Sequence, residues 1–257
     1  MSLTAHITVQ NLTMAYGDFL IQRDLNFTIN RGDVFIVMGG SGCGKSTLLK
    51  HLIGLQQPKQ GDVLYGEQSF WHADAEIRES IMRRIGVLYQ SGALFSSLTL
   101  AENIALPMGE FTRLTKNEIA DLVAYKLALV GLAGFEDYYP AEISGGMQKR
   151  AGLARAMALD PEILFFDEPS AGLDPVSAKL LDDLIINLSR TMGTTIVVVT
   201  HELSSIFAIG TNSVFLDPET KTMLATGAPK QLLAETQDPK IIEFLTRGEG
   251  RGNAIVD

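Results

Sequence analysis

Residues 39–47 combine glycines with side chains that can bind a chain of phosphates. They lie between an apolar run, residues 34–38, and a helix-like segment, residues 48–53, in the order strand, turn and helix. Glycines let backbone N–H groups converge on phosphate oxygens, and a helix N-terminus adds the positive end of its dipole. Lys45 can reach the β- and γ-phosphates, and the hydroxyl of Ser46 can bind Mg²⁺.

This spacing predicts binding of a nucleoside triphosphate and its hydrolysis. A chance glycine-rich turn is a poor alternative, because the flanking strand and helix are both recognisable. The nucleotide-binding residues predicted from this loop are Gly39, Gly40, Ser41, Gly42, Cys43, Gly44, Lys45, Ser46 and Thr47.

Two neighbouring acids follow a second apolar run, residues 163–166. A buried strand that ends in an aspartate can place that carboxylate near Mg²⁺, and an adjacent glutamate can orient or deprotonate the attacking water. We therefore predict Asp167 as a metal ligand and Glu168 as the general base. Any strand that leaves a core can end in charge, so the pair gains its meaning from the phosphate loop upstream.

Two kinds of strand pattern must position these residues. Segments 7–10 and 25–29 alternate apolar and polar residues, which predicts half-exposed antiparallel strands beside the phosphate loop. Segments 163–166 and 195–199 are continuously apolar, which is typical of parallel strands covered on both faces. With a helical stretch at 175–192 between them, the pattern predicts an α/β fold with a parallel core sheet.

Residues 91–160 show a different pattern. Segments 118–130 and 148–159 are helix-like and little alternates with period two, so we predict a helical subdomain inserted in the core. We expect residues 1–246 to form one domain. Residues 247–257 begin glycine-rich and charged and close with an apolar triplet, which predicts a flexible tail. That tail is either plain disorder or a linker that docks on a neighbouring subunit.

The composition of the 257 residues restricts the class of protein. Because 46% of the residues are hydrophobic, we expect an ordinary soluble globular domain with a sizeable core. The net charge of −9 argues against nucleic acid as a partner, since such a surface must neutralise many phosphates. The N-terminus lacks the features of a secretory signal, and no run of about 18 apolar residues occurs, so we expect the cytoplasmic side.

Cys43 is the one cysteine in the sequence, so an intrachain disulfide is impossible. A thiol at a helix N-terminus can have a lowered pKa, which would make Cys43 a redox sensor. The simpler interpretation, which we favour, is that this loop position accepts any small residue.

The octet at residues 143–150, which begins Ile-Ser-Gly-Gly-Met, resembles the signature motif of ATP-binding cassette (ABC) ATPases. Other motifs of that family occur in the expected order and extend the resemblance over nearly the whole chain. It implies that Tyr16 stacks on adenine, that Gln90 senses Mg²⁺ and the attacking water, and that His201 contacts the γ-phosphate. Each residue alone has a plain structural alternative, but the full set in the right order excludes coincidence.

The resemblance also implies ATP and Mg²⁺ as cofactors and a head-to-tail pair of identical subunits. A Ser-Gly-Gly turn at a helix start offers a hydroxyl, backbone donors and a dipole to phosphate, and it would serve the nucleotide of the partner copy. Residues 170–174, which end in Asp174, would cross the dimer interface. The implied ligands of the partner's nucleotide are Ser144, Gly145 and Gly146.

Two positions of the signature depart from the usual pattern. Ile143 and Met147 stand where Leu and Gln are usual, which puts the contacts of the fifth side chain in doubt but keeps the phosphate-facing residues. This turn and segment 87–95 are similar to the ATPases that power MCE-type lipid transport. That branch implies phospholipid transport between inner and outer membranes, on the cytoplasmic face of the inner membrane. Its implied partners are integral membrane permease subunits, an MCE-domain protein and a small STAS-domain accessory subunit.

The permease would dock in the groove after Gln90, where Leu94, Phe95 and Leu98 could receive a short helix or could equally be subdomain core. A cassette ATPase acting on DNA or ribosomes is a competing function, but neither a heptad coiled coil nor a second cassette is visible. A small-molecule kinase would leave the signature and residues 170–174 unexplained. Within transport, lipoprotein release and amino-acid import are rival cargoes, because permeases and binding proteins choose the cargo.

Overall fold

The computed structural model describes residues 4–248 and shows two sheets flanked by helices. The strands are β1 (Ala5–Tyr16), β2 (Phe19–Asn30), β3 (Val34–Gly39), β4 (Gln60–Tyr65), β5 (Gln68–Ser69), β6 (Ile85–Leu88), β7 (Ile163–Asp167), β8 (Thr195–Val199), β9 (Asn212–Asp217) and β10 (Thr222–Thr226). The helices are α1 (Lys45–Leu52), α2 (Ala75–Met82), α3 (Leu100–Phe111), α4 (Lys116–Leu129), the 3₁₀ helix η1 (Pro140–Glu142), α5 (Gly145–Ala156), α6 (Pro175–Met192), α7 (Leu203–Ile209), α8 (Pro229–Glu235) and α9 (Pro239–Thr246).

The smaller sheet is antiparallel and has the strand order β2-β1-β4-β5. Its first two strands contain the two alternating segments, so the antiparallel prediction is confirmed. Their buried residues, such as Ile7, pack against one face of the larger sheet. A two-residue turn at Gly17 and Asp18, with Gly17 at a φ of 57°, joins β1 to β2 and leaves Tyr16 paired with Phe19.

The larger sheet has the strand order β10-β9-β3-β8-β7-β6 and is parallel except for β10 at one edge. Every residue of β3 and β8 is buried, because both faces are covered, and the predicted parallel core sheet is confirmed. On β3, Phe35 and Val37 face the smaller sheet while Ile36 and Met38 face the helices. The carboxyl ends of the parallel strands therefore meet at one edge, where the segments after β3, β6, β7 and β8 begin.

The chain between β6 and β7 is helical, and that stretch, all of which is described, contains no strand. The helices predicted at 118–130 and 148–159 correspond to α4 and α5. Each begins earlier than predicted, because the hydroxyl of Thr115 or Ser144 caps its first turn. Helix α3 is additional to the prediction, and the signal for its start is a capping box at Thr99.

Helix α6 confirms the prediction for residues 175–192. The carboxylate of Asp174 caps its start, and Gly193, with a φ of 66°, ends it. A turn at residues 247–248 follows α9, and the rest of the predicted tail, residues 249–257, lies outside the described residues. Within residues 4–248, none of the helices has both the length and the apolar character needed to span a membrane.

Candidate active site

A pocket of about 920 Å³ opens at the carboxyl edge of the parallel strands. Its wall is built by the β1–β2 hairpin, the phosphate loop after β3, and the segments that follow β6, β7 and β8. Ligands of α/β proteins bind at this edge. The predicted residues on the pocket lining are Tyr16, Gly39, Gly40, Ser41, Gly42, Gly44, Lys45, Ser46, Thr47, Gln90, Glu168 and His201.

Two glycines of the phosphate loop cannot be replaced without moving the neighbouring chain. Gly39 has a φ of 144°, and a Cβ there would lie 2.3 Å from the carbonyl O of Leu216. Gly44 has a φ of 97°, and a Cβ would lie 2.6 Å from Cγ2 of Ile21. Because both φ values are in a region that favours glycine, the loop conformation depends on these residues.

Lys45 begins α1 and folds back over the loop. Its Nζ donates hydrogen bonds to the carbonyl O of Gly39 at 2.9 Å and of Gly40 at 3.1 Å. The N-cap of α1 is Gly44, which has no side chain to accept from the first N–H groups of the helix. The loop therefore presents backbone donors and a cation together, and this cradle fits the phosphates of a nucleotide.

Ser46 and Asp167, both predicted as metal ligands, are in contact. Oγ of Ser46 donates to Oδ1 of Asp167 at 3.1 Å. Burial raises the pKa of the Asp167 carboxyl, the bond from Ser46 opposes this, and the charge of Glu168 raises the pKa further. A cation would stabilise such a poorly solvated carboxylate, and Mg²⁺ prefers oxygen ligands, so the pair fits this metal. Gln90, the third predicted metal residue, is exposed on the same pocket lining.

Glu168 is held in an uncommon backbone conformation. Its φ of 50° lies in the left-handed region, and its N–H donates to the carbonyl O of Val199 at 2.8 Å. Its Oε1 lies 2.8 Å from Nδ1 of His201, whereas its Oε2 is buried and has no hydrogen-bond partner among the described residues. A buried oxygen that accepts no hydrogen bond costs free energy. The strained backbone and the unpartnered Oε2 therefore both indicate that Glu168 binds a further partner.

His201 follows β8, and its side chain is 57% exposed at the pocket wall. The resemblance implies that it contacts the γ-phosphate, and the structure brings it against the predicted general base, Glu168. Its Nε2 lies 3.8 Å from Oε1 of Glu202. The imidazole can therefore orient the carboxylate of Glu168 while remaining accessible from the pocket.

Tyr16 is half exposed on the pocket lining, where an aromatic face can meet a nucleotide base. Phe19, which the sequence analysis missed, pairs with Tyr16 across the hairpin and lines the same pocket. Nζ of Lys221 lies 5.1 Å from the centre of the Phe19 ring. The two-residue turn between the strands was the signal that could have identified Phe19, because it fixes the pairing register.

Cys43 is buried beneath the loop, with 1% of its surface exposed. Burial raises the pKa of its thiol, and the nearby Lys45 ammonium only partly opposes this. A redox sensor requires an accessible thiolate, so the structure argues against that alternative and favours a small residue that fills space.

The residues of the signature and of the dimer loop lie elsewhere. Ser144 caps α5 and accepts from the N–H of Met147 at 3.3 Å. Asp174 caps α6 and accepts from the N–H groups of Val176 and Ser177, each at 3.0 Å. The structure therefore does not bring these helix starts to the phosphate loop of the same chain. The predicted residues outside the pocket lining are Cys43 and Asp167, which lie next to residues of the lining, and Ser144, Gly145, Gly146 and Asp174.

Residues 22–171 match the ABC transporter family, a span of more than half the chain. The chain therefore belongs to the ABC transporter family, as the sequence predicted, and its fold is the cassette of ABC ATPases. This class of protein binds ATP together with Mg²⁺ and hydrolyses the ATP.

Two individual relatives are similar to this chain over most of its length. The chain is 39% identical over 246 residues to the intermembrane phospholipid transport system ATP-binding protein MlaF of Haemophilus influenzae, covering 96% of this chain and 92% of that protein. It is 41% identical over 239 residues to the probable ribonucleotide transport ATP-binding protein mkl of Mycobacterium tuberculosis, covering 93% of this chain. The chain spans 66% of the length of that mycobacterial relative.

A solved structure shows the same fold. The dimeric ATP-binding cassette MJ0796, in a post-hydrolysis state bound to ADP and Pi, matches with a TM-score of 0.78 and 28% sequence identity. The match covers 86% of this chain and 98% of that chain.

Proposed function

We propose that this chain is the ATP-hydrolysing, nucleotide-binding subunit that powers an ABC transporter. The observation that carries the proposal is the buried, unpartnered Oε2 of Glu168, beside the contact between Ser46 and Asp167. A protein that only binds nucleotide has no use for a general base. A carboxylate in this position next to a phosphate cradle serves hydrolysis of a phosphoanhydride.

The binding residues act first. The phosphate loop and Lys45 hold the phosphates, and Tyr16 stacks on the adenine. Ser46, Asp167 and Gln90 would hold Mg²⁺, which would supply positive charge to neutralise the phosphate oxygens.

The hydrolytic step uses two residues at the ends of neighbouring strands. Oε2 of Glu168 accepts a proton from the attacking water, and the contact of Oε1 with Nδ1 of His201 holds the carboxylate in place. His201 is accessible from the pocket, which allows it to contact the γ-phosphate as well. The strained backbone of Glu168 fixes the position of the base before nucleotide arrives.

The working unit is a head-to-tail dimer of this chain. The structure leaves the Ser-Gly-Gly turn and Asp174 outside the pocket of their own subunit, so these residues serve a nucleotide held by a second copy. The similarity to a cassette whose structure is dimeric supports a dimer of this chain. Residues 1–246 form the ATPase domain, and residues 91–160 form its inserted helical subdomain.

The partner that this chain drives is an integral membrane permease, MlaE-like, and this chain lies on the cytoplasmic face of the inner membrane. A groove of about 690 Å³ lies beside the segment after Gln90. Its lining is mainly apolar and aromatic, and it includes the charged side chains of Glu79, Arg83, Glu110 and Arg155. Of the three residues predicted there, Phe95 lines the groove and is half exposed, whereas Leu94 packs against the core. Leu98 does not line the groove. Phe111 also lines it and is half exposed, which suits the apolar face of a short helix.

The cargo of the system is phospholipid, moved between inner and outer membranes to maintain outer-membrane lipid asymmetry. The similarity to MlaF over nearly the full length of both chains supports this choice. An MCE-domain protein (MlaD-like) and a small STAS-domain subunit (MlaB-like) complete the assembly. Another cargo is the second candidate, because the mkl relative carries the name of a ribonucleotide transporter.

Copurification of the full chain with its membrane partner, followed by mass spectrometry of bound molecules, tests the cargo. We expect ATPase activity together with phospholipid enriched above the level retained by an unrelated permease purified in the same detergent. An active complex that retains lipoprotein, an amino acid or a ribonucleotide other than ATP and ADP instead of phospholipid would count against the phospholipid cargo and leave the ATPase proposal intact.

A further inference from the structure

Helix α5 joins two segments that the proposed dimer uses on different nucleotides. Its first turn carries the Ser-Gly-Gly signature, and Lys149 follows on the next turn with 7% of its surface exposed. Nζ of Lys149 donates a hydrogen bond to the carbonyl O of Ala171. The N–H of Ala171 in turn donates to the carbonyl O of Glu168 at 3.2 Å. One side chain thus connects the signature helix to the loop that continues from the general base.

A second contact connects the same two segments. A Cβ on Gly146 would lie 3.2 Å from Oγ of Ser177 and 3.9 Å from Cδ2 of Leu173. The first turn of α5 therefore packs directly on the first turn of α6 and on the dimer loop before it. Because packed interiors transmit displacements, α5 cannot shift without moving this loop.

Burying the charged side chain of Lys149 costs free energy that a purely packing role would not require. Burial lowers the pKa of its ammonium group, and the charge of Glu168 acts in the opposite direction. Lys126, which is also deeply buried, forms an ion pair with the carboxylate of Asp160. The hydrogen-bond acceptor of Lys149 is a neutral carbonyl instead. An apolar side chain of similar length would fill the same space at lower cost, so the retained charge indicates a further role.

The loop held by Lys149 also contains two buried side-chain oxygens. Oε2 of Glu168 and Oγ of Ser170 are both buried and have no hydrogen-bond partner within the described part of the chain. Lys149 therefore anchors the segment that continues directly from the general base, Glu168.

We propose that Lys149 is a positioning residue that couples the two nucleotide sites of the dimer. When the nucleotide held by the partner binds the Ser-Gly-Gly turn of one chain, helix α5 of that chain moves. The bond from Lys149 to Ala171 then carries the displacement to Glu168 of the same chain, which acts on the nucleotide held by that chain's own phosphate loop. This inference rests on the proposed function, since it requires two nucleotides between two copies of the chain.

The test compares Lys149→Met, which keeps the apolar stem, with Lys149→Arg, which keeps a charged donor. Lys126→Met is the matched control, because it also removes a buried ammonium group. In the nucleotide-free full-length chain, we expect Lys149→Met to speed amide hydrogen exchange in residues 168–174 about tenfold, from loss of a charged hydrogen bond. In the ATPase assay, its Hill coefficient should fall from about 2 toward about 1, with KM changed by less than about twofold.

Lys149→Arg should recover part of the cooperativity, and Lys126→Met should lower Tm without changing either readout. Unchanged exchange and an unchanged Hill coefficient in Lys149→Met would overturn the proposal. Equal loss of cooperativity in Lys126→Met, in proportion to Tm, would also overturn it by showing a merely structural role. A wild-type chain with no ATP-dependent dimer and a Hill coefficient of about 1 would instead remove the two-site function itself.

Discussion

The phosphate loop and the Ser-Gly-Gly turn are both glycine-rich segments at a helix start, yet the rest of the chain constrains them differently. At Gly39 and Gly44, a Cβ would collide with strands β9 and β2, and the ammonium of Lys45 is held by two carbonyls of the loop. At Gly145 a Cβ would meet open space, and Ser144 caps its own helix. The two ends of the phosphate loop are shaped by its own subunit, whereas Ser144 and Gly145 of the second segment are exposed, and only Gly146 of that turn packs against Ser177.

In the proposed dimer, this difference lets a chain bind a nucleotide alone and yet need a second copy to hydrolyse it. The acids and the histidine lie on the side of the phosphate loop, whereas the helix start that completes the phosphate shell lies elsewhere. Variants in the two segments should therefore separate binding from turnover.

Glu168→Gln should give the largest effect. The amide keeps the shape of the side chain but cannot accept a proton, so we expect hydrolysis to fall about 10³-fold while nucleotide binding is retained and the closed dimer accumulates. Steady-state ATPase assays and sedimentation with MgATP provide the measurements. Glu202→Gln, which changes the acid beside His201, is the matched control and should retain activity. Wild-type turnover by Glu168→Gln in the assembled complex would show that another group is the base.

Lys45→Ala should weaken nucleotide binding, because the phosphate loop is complete within one chain. Loss of its charged hydrogen bonds should weaken binding of a non-hydrolysable ATP analogue about 10- to 100-fold in isothermal titration. Lys50→Ala removes an exposed cation further along α1 and should change affinity little. If both variants bind like the wild type, Lys45 does not contact the phosphates.

Ser144→Arg should leave analogue binding by the isolated chain unchanged and lower turnover about 100-fold, because the turn serves the other copy. Mixing this variant with Lys45→Ala sharpens the comparison. In a head-to-tail pair, one of the two sites then contains an intact phosphate loop and an intact signature. If one complete site can work without the other, random pairing should restore about a quarter of wild-type activity from two inactive chains, and coupling between the sites lowers this fraction. A mixture that forms mixed dimers but stays as inactive as each variant alone would contradict the restoration of one complete site.

The contrast between the two segments also shows what the sequence could predict. The phosphate loop, the two acids at the end of β7 and helix α6 could be predicted as structural features, because strand, turn and cap signals are local. The φ of 50° at Glu168 and the bond from Lys149 to Ala171 could not be predicted, because they depend on how β8 and α5 pack beside β7. Phe19 is an intermediate case, since the hairpin register that places it is readable from a two-residue turn.

Asp167→Asn should affect stability and function in opposite directions. The folded-state pKa of Asp167 is raised, mainly by burial, so its contribution to stability is present at low pH and is lost as pH rises through that pKa. At neutral pH the nucleotide-free variant should therefore melt a few degrees higher than the wild type, and this gain should vanish in acid. Its affinity for Mg²⁺ with nucleotide should fall, because an amide is a weaker ligand than a carboxylate. Calorimetry between neutral and acidic pH checks the sign, and a lower Tm at neutral pH would contradict it.

Cys43→Ser should have the smallest effect, although Cys43 lies inside the phosphate loop. The thiol is buried and its pKa is raised, so it supplies space filling to the loop and no charge. A buried hydroxyl in its place should cost about 1 kcal/mol of stability and leave turnover within about twofold of the wild type. Cys43→Ala is the control for side-chain volume.

Maleimide labelling of Cys43 in the wild type is a second measurement. Bound MgATP should slow this labelling, since a bulky adduct at Cys43 and the nucleotide would occupy the same space. A folded but inactive serine variant would show that the thiol has a chemical role. Equal labelling rates with and without nucleotide would show that Cys43 does not lie near the phosphates.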